Sequence, residues 1–238
     1  MQASPYKTFK ALGIFLWYPN EEWLRGIGDL CDLIEQEKLV GADDARAIRI
    51  FAEGLQAQDV FDAQEAYVDT FDRIRSLSLH LFEHVHGESR DRGQAMVDLA
   101  EVYKEQGFTL AKSELPDYLP VFLEFLSHLP KDEALEMLAD PANVLVALGK
   151  RLAERGSPYN AIFNSLIHLA GREPEKVDRK IAATLPSFTQ LDKEWEEKPV
   201  DFLGAEPPSA GGCGGGGKGC GCGKAAKSSE AMMQGAQS

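Results

Sequence analysis

Apolar side chains recur at α-helical spacing along most of this chain, and this periodicity restricts the fold more than any other feature. The strongest example comprises Phe122, Phe125, Leu126 and Leu129, which stand at i, i+3, i+4 and i+7. Residues at these positions share one face of a helix. Alternation of apolar and polar residues, which would indicate half-buried strands, is scarce. The sequence therefore predicts an all-α fold.

Proline and capping residues divide the chain into about ten predicted helices. Asn20 follows Pro19 and is predicted to cap the second helix. Asp91 and Gln94 have the spacing of a capping box, and Asp117 is predicted to cap the helix that contains the Phe122 stripe. The predicted helices cover residues 6–18, 20–38, 44–58, 62–73, 74–85, 91–106, the segment from 117, 131–139, 141–154, 158–170 and 174–183.

Composition separates a body of residues 1–203 from a tail of residues 204–238. Ten of the 22 glycines lie between residues 204 and 223. A segment of this composition buries too little apolar surface to offset its ordering entropy. We therefore expect one helical-bundle domain over residues 1–203, followed by a flexible tail rich in Gly and Cys.

The charge of the chain excludes one large class of partners. The formal net charge is −13, and three lysines against two glutamates give the tail +1, so the body carries −14. Such a body repels phosphate backbones, which argues against a nucleic-acid partner. It attracts basic protein segments and accelerates their encounter.

Three features bear on the cellular compartment. The apolar run 11–18 resembles a signal peptide, but it has eight residues and no small-residue cleavage site follows it. No stretch reaches the roughly 20 apolar residues that span a bilayer. The four cysteines form no disulfide framework, and Cys31 stands alone in a helical stretch, where it is interpreted as a small hydrophobe. We expect a soluble cytoplasmic protein.

Two groups of residues have the chemistry of metal ligands. His80, Glu83 and His84 match the H-x-x-E-H pattern of inverted zinc proteases, in which two histidines on one helix face bind zinc. The alternative is that these side chains pack or face solvent at a helix end. A zinc hydrolase is therefore one possible function.

The tail contains a second group, Cys213, Cys220 and Cys222, with C-x6-C-x-C spacing. Thiolates favour zinc, copper(I) or iron–sulfur clusters, which would suit a metal-delivery adaptor. The absence of a C-x2-C knuckle and the glycine-rich surroundings favour a dispensable tail. Deletion of residues 204–238 distinguishes the two, because it disables only an adaptor.

Four carboxylates, Asp62, Glu65, Asp69 and Asp72, recur at i, i+3, i+7 and i+10 and are predicted to share one helix face. We call them the acidic stripe. Tyr67 is predicted to lie on the opposite face, together with Phe71. Two interpretations are open: a solvated surface, or a receptor for a basic peptide.

A charged loop, residues 87–93, leads into a predicted helix. A helix N-terminus can bind anions, but the loop lacks the lysine pattern of a nucleotide-binding loop. Its arginines and carboxylates either pair with one another or contact a partner or a phosphate-bearing cofactor. The candidate residues of this loop and of the histidine segment are His84, His86, Glu88, Arg90, Asp91 and Arg92.

Residues 82–99, FEHVHGESRDRGQAMVDL, closely resemble the signature of the NarJ family, the assembly chaperones of respiratory nitrate reductase. Further segments agree with that family: LWYP at 16–19, Tyr67 with FDR at 71–73, ELPDYLP at 114–120, LEFLS at 123–127 and WEE at 195–197. The resemblance spans most of residues 12–203. It implies a helical fold like that of the TorD-type molybdoenzyme chaperones.

The resemblance also implies a function without catalysis. Such proteins bind the N-terminal peptide of the catalytic (alpha) subunit of nitrate reductase and hold it in the cytoplasm before membrane docking, while the molybdenum cofactor and the iron–sulfur centre are inserted. They keep no cofactor permanently, and contact with cofactor-biosynthesis proteins is left open.

On this basis we predict a peptide groove formed by Leu16, Tyr18, Tyr67 and Phe71 beside the acidic stripe. Residues 84–92 would form a loop that touches the client during cofactor insertion. Pro116, Asp117 and Tyr118 form a helix-start motif, in which Tyr118 stands where related chaperones can have histidine.

Overall fold

The structure, a computed structural model, describes residues 6–87, 89–111 and 114–175. The regular secondary structure of these residues is helical, and none of them belongs to a β-strand, which confirms the all-α prediction. Eleven α-helices occur in this part of the chain, close to the predicted ten. They are α1 (Thr8–Phe15), α2 (Glu21–Arg25), α3 (Ile27–Glu37), α4 (Ala42–Gln56), α5 (Val60–Tyr67), α6 (Leu81–His86), α7 (Arg90–Glu105), α8 (Leu119–Leu126), α9 (Lys131–Ala139), α10 (Ala142–Glu154) and α11 (Asn160–Leu169).

Helix α8 lies at the centre of the hydrophobic core. Phe122, Phe125 and Leu126 are buried, as the apolar stripe predicts, and Glu124 is the one residue of the helix outside the core. Helix α1 packs along α8 so closely that a methyl group added at Gly13 would lie 3.1 Å from the Pro120 carbonyl oxygen. A larger residue at this helix crossing would force α1 and α8 apart by a few tenths of an ångström. Helices α3, α4, α10 and α11 complete the bundle.

The α2–α4 region shows how the sequence sets the local structure. The Asn20 side chain accepts hydrogen bonds from the backbone N–H groups of Glu22 and Trp23, at 2.9 and 3.0 Å, and the predicted cap is confirmed. Arg49 on α4 pairs with Asp32 and Glu35 on α3. Cys31 is buried between these elements, and burial raises the pKa of its thiol to about 11. It packs as the small hydrophobe that the sequence predicts.

Two local predictions are wrong. Residues 74–85 do not form one helix, because only a 3-10 turn (Arg75–Leu77) precedes an extended segment that ends at α6. The capping box at Asp91 is absent as well: α7 begins one residue earlier, and Gln94 donates to Asp98 instead. Helix α5 continues as a π-helix (Val68–Asp72), which sequence periodicity does not indicate.

The structure leaves three predictions without a test. The predicted helix 174–183 lies outside the described residues except for 174 and 175, which are not helical. The boundary at residue 203 and the tail lie wholly outside them.

None of the described helices is long and apolar enough to cross a bilayer.

Candidate functional site

The segment before α6 and the helix-start motif, found separately in the sequence, lie side by side. His80 and Tyr118 form an isolated antiparallel bridge. The N–H of Leu81 donates to the Asp117 carbonyl at 3.0 Å, and the N–H of Leu119 donates to the Leu79 carbonyl at 2.9 Å. These non-local bonds pull residues 78–80 out of the predicted helix.

Asp117 joins these two segments through its side chain. Its carboxylate is fully buried and accepts hydrogen bonds from His80 Nδ1 at 3.2 Å and from the Phe82 N–H at 3.3 Å. The guanidinium of Arg92 lies 3.8 Å away. The prediction that Asp117 caps a helix is therefore wrong, because α8 begins at Leu119 with Tyr118 in the N-cap position. A buried carboxylate needs such partners, since each unpaired buried charge is costly.

Arg92 connects the signature segment to this buried carboxylate. It pairs with Glu83 at 3.2 Å, and both side chains are 22% exposed. Gly87 has φ +56°, which favours glycine and allows the turn that brings α7 beside α6. We call Asp117, His80, Glu83 and Arg92 the buried carboxylate cluster. Internal pairing of arginines with carboxylates was one of the two interpretations of the charged loop, and Arg92 forms such pairs.

The remaining loop residues differ in their surroundings. Arg90 and Asp91 are exposed, and Glu88 lies outside the described residues. His84 donates from Nε2 to the Ser78 carbonyl at 2.8 Å, because a carbonyl can only accept. The His86 ring lies 5.6 Å from the Phe82 ring. A contact between these residues and the client stays a prediction.

The H-x-x-E-H pattern does not form the expected pair of histidines on one helix face. His80 precedes the first residue of α6 and faces Asp117, whereas His84 faces Ser78 and Glu83 pairs with Arg92. Among the residues that the structure describes, no three His, Cys, Asp or Glu side chains are arranged to hold a metal. The three tail cysteines, Cys213, Cys220 and Cys222, lie outside those residues.

Tyr67 and Tyr118 form a hydroxyl pair beside the buried carboxylate cluster. The Tyr67 hydroxyl lies 2.9 Å from the Leu16 carbonyl and 3.0 Å from the Tyr118 hydroxyl. Burial raises the pKa of both tyrosines, so both stay protonated at neutral pH. Because the Leu16 carbonyl can only accept, the Tyr67 hydroxyl donates to it and accepts a hydrogen bond from the Tyr118 hydroxyl. The pair fixes the end of α1 against α5 and α8.

We expect Tyr67→Phe to lower the free energy of unfolding by about 1–2 kcal/mol, because the buried Leu16 carbonyl loses its donor. Urea denaturation followed by circular dichroism measures this change. Tyr18→Phe is the matched control, since Tyr18 is 47% exposed, and it should change stability by less than about 0.5 kcal/mol. Equal effects of the two substitutions would contradict the assigned role of the Tyr67 hydroxyl.

The predicted groove residues mostly belong to the core. Leu16, Tyr67 and Phe71 are 0%, 3% and 4% exposed, whereas Tyr18 packs edge-on against Tyr67 with half its surface exposed. Tyr67 and Phe71 are buried, whereas Asp62 and Glu65 of the acidic stripe are exposed. Of these four side chains, Tyr18 can meet a peptide without a rearrangement. Their role in binding stays a prediction.

The acidic stripe has three members in register and one displaced. Asp62 and Glu65 are exposed on α5, and Asp69 pairs with Arg73 at 2.8 Å. The π-helix takes an additional residue per turn, so Asp72 leaves the α-helical register. Asp72 instead lies near enough to Tyr67 to contribute to its raised pKa, after the larger effect of burial. The prediction of four carboxylates on one face is therefore wrong for Asp72.

Comparison with known proteins agrees with the resemblance seen in the sequence. The family model described as nitrate reductase delta subunit matches residues 37–164. The nitrate reductase molybdenum cofactor assembly chaperone NarJ of Escherichia coli K12 is 43% identical over 203 residues, 84% of each chain. The probable chaperone NarW of the same strain is 41% identical over 201 residues, 83% of this chain and 84% of NarW.

A solved structure supports the fold. A crystal structure from Archaeoglobus fulgidus, described as a redox enzyme maturation protein, superposes with a TM-score of 0.52 and 22% identity. The match covers 72% of this chain and 97% of the other. Identity at this level supports the helical architecture alone. On the sequence comparisons, the chain belongs to the NarJ family.

Proposed function

We propose that this protein is an assembly chaperone that binds the catalytic subunit of nitrate reductase in the cytoplasm through the subunit's N-terminal peptide. It holds the subunit while the molybdenum cofactor and the iron–sulfur centre are inserted, and it releases the subunit before membrane docking. The protein catalyses no reaction and keeps no cofactor. The observation that carries this proposal is the 43% identity to E. coli NarJ over 84% of the chain.

The charge and the surface of α5 support a peptide partner. The body carries −14, and Asp62 and Glu65 present exposed carboxylates one helical turn apart. A basic residue of the peptide gains attraction from both carboxylates and is drawn towards this surface before contact. Such pairing is sensitive to salt, because exposed charges are screened within about 10 Å at 0.1 M salt.

Isothermal titration with the N-terminal peptide of the nitrate reductase catalytic subunit tests the proposal. We expect saturable one-to-one binding that weakens as salt is added. Absence of binding at high micromolar peptide would contradict the peptide mechanism. Binding that does not respond to salt would keep the chaperone function and remove the role of the acidic surface.

Reversing two stripe charges, Asp62→Lys with Glu65→Lys, should weaken peptide binding by about tenfold at low salt and flatten its salt dependence. The reason is that two attractive pairs become repulsive. Glu133→Lys with Glu136→Lys is the matched control, because these exposed carboxylates on α9 have the same spacing and the same charge change. Equal weakening by both variants would attribute the effect to net charge and not to the stripe.

The charged loop before α7 is proposed to contact the client during cofactor insertion. Arg90 is exposed at the start of α7, next to the histidine segment. Arg92 pairs instead with Glu83 and approaches Asp117, so its first role is to hold α7 in place. A functional test of the loop therefore belongs at Arg90, where folding is least affected.

A further inference from the structure

The N-terminal part of α7 is weakly held, although it belongs to the family signature. No residue between 90 and 102 is buried. The N-cap residue Ser89 makes no side-chain hydrogen bond to the first turn, and a methyl group added at Gly93 would find no packing partner within 4 Å. Glycine inside a helix weakens it through its conformational freedom. Local interactions therefore do little to fix this end of the helix.

A charged latch, formed by Arg92 with Glu83 and Asp117, holds this end, and it is incompletely paired. The guanidinium lies 3.2 Å from Glu83 but 3.8 Å from Asp117, too far for a hydrogen bond. The buried Nε of Arg92 has no hydrogen-bond partner among the described residues. Buried polar groups are nearly always paired, and partly exposed ion pairs stabilise little. The latch is therefore weak.

The opposite end of α7 is firmly attached. Tyr103 is fully buried, and its ring lies 4.3 Å from that of Phe125. At the N-terminal end, the chain turns at Gly87, which has φ +56° and open space where a Cβ would be. A helix that is fixed at one end by a core aromatic residue, and joined at the other through an unpacked glycine, can pivot about the fixed end.

The face that α7 turns towards the body is apolar beyond Arg92. The next residues on that face, at i+4, i+7 and i+11, are Met96, Leu99 and Tyr103. Leu99 packs against the core but stays partly exposed. The same holds for Phe82 of α6, the helix along which α7 mainly packs. Movement of the Arg92 end away from the body would uncover this face.

We propose that α7 is a strap that the Arg92 latch closes, that pivots at Tyr103, and that opens at its Arg92 end to uncover the face around Leu99. Its meaning for the client rests on the proposed function, because the charged loop assigned to the client lies at the moving end, next to Arg90. Opening of the strap displaces this loop from α6, so the latch regulates how the loop is presented.

The reactivity of a cysteine placed on the covered face tests the strap. Leu99→Cys is introduced together with Cys213→Ser, Cys220→Ser and Cys222→Ser, and its rate of reaction with N-ethylmaleimide is measured. Arg92→Gln should raise this rate at least about threefold, because the rate follows the population of open molecules. Salt at about 0.5 M should raise it about twofold while Arg92 is present, and should have no effect after Arg92→Gln.

Two matched controls separate opening of the strap from general loosening. Arg46→Gln on α4 removes the same charge from an exposed pair with Asp43, and should leave the Leu99→Cys rate unchanged. Leu33→Cys on α3 replaces another leucine that packs, partly buried, against the core. It should react equally fast with and without Arg92→Gln, which shows that the body of the protein stays folded.

The outcomes decide between a strap and a fixed helix. A Leu99→Cys rate that does not respond to Arg92→Gln would overturn the proposal, and so would equal acceleration at Leu33→Cys. Arg92→Lys keeps the charge without the planar fork, so its rate should lie between the other two, and it serves as the test if Arg92→Gln does not fold. The assay contains no client. Failure of peptide binding would therefore remove the proposed function and leave the strap, whereas an unresponsive Leu99→Cys would remove the strap alone.

Discussion

Replacing Asp117 with alanine is expected to lower the free energy of unfolding by about 3–5 kcal/mol, because it removes one partner from a buried ion pair. The carboxylate is fully buried and accepts from His80 and from the Phe82 N–H. Without it, the Phe82 N–H loses its acceptor and the charge of Arg92 faces only Glu83. The same change loosens the contact between the segment before α6 and the start of α8.

Urea denaturation followed by circular dichroism measures this loss of stability, and two further variants serve as comparisons. Asp117→Asn keeps the size and one acceptor oxygen, so it should cost less than the alanine substitution. Asp98→Ala removes an exposed carboxylate on α7 and should change stability by less than about 0.5 kcal/mol. A loss below about 1 kcal/mol for Asp117→Ala would show that the buried carboxylate cluster does not hold these segments together.

The existence of most helices follows from the sequence because their signals are local. The Phe122 stripe predicts the buried face of α8, and Asn20 predicts the start of α2. The predictions 131–139 and 141–154 match α9 and α10 within one residue. In each case the residues that decide the structure lie within one or two turns of one another, which is the range that periodicity and capping describe.

The errors arise where a distant segment decides the local structure. Residues 78–80 are predicted to be helical, but the Leu79 carbonyl accepts from the Leu119 N–H and the neighbouring Leu81 N–H donates to the Asp117 carbonyl. Asp117 is a residue type that often caps helices. Its carboxylate nevertheless lies in the core, where it accepts a hydrogen bond from His80, 37 residues earlier in the chain. A local pattern cannot include such a partner, so tertiary contacts override it.

The candidate site, too, is predictable from the sequence only in part. Sequence motifs identify His80, Arg92 and Asp117 individually, but no pattern indicates that they meet in one cluster.

Helix α7 depends on a single buried residue, although it contains most of the family signature. Tyr103 is the one residue of this helix that is fully withdrawn from solvent. Its ring packs 4.3 Å from Phe125, and its hydroxyl donates to the Pro116 carbonyl at 2.7 Å. Helix α7 is thus attached at its C-terminal end by Tyr103 and at its N-terminal end by Arg92.

We therefore expect Tyr103→Ala to cost about 3–5 kcal/mol of stability, because a buried aromatic ring leaves a cavity and the Pro116 carbonyl loses its donor. Hydrogen exchange should accelerate most in residues 90–105, since the rest of α7 has little buried surface to hold it. Tyr103→Phe keeps the ring, so it should lose only about 1–2 kcal/mol and leave exchange in α7 nearly unchanged. If the alanine and phenylalanine variants exchange alike, the ring does not anchor α7, and the attachment of the signature helix must come from the Arg92 end.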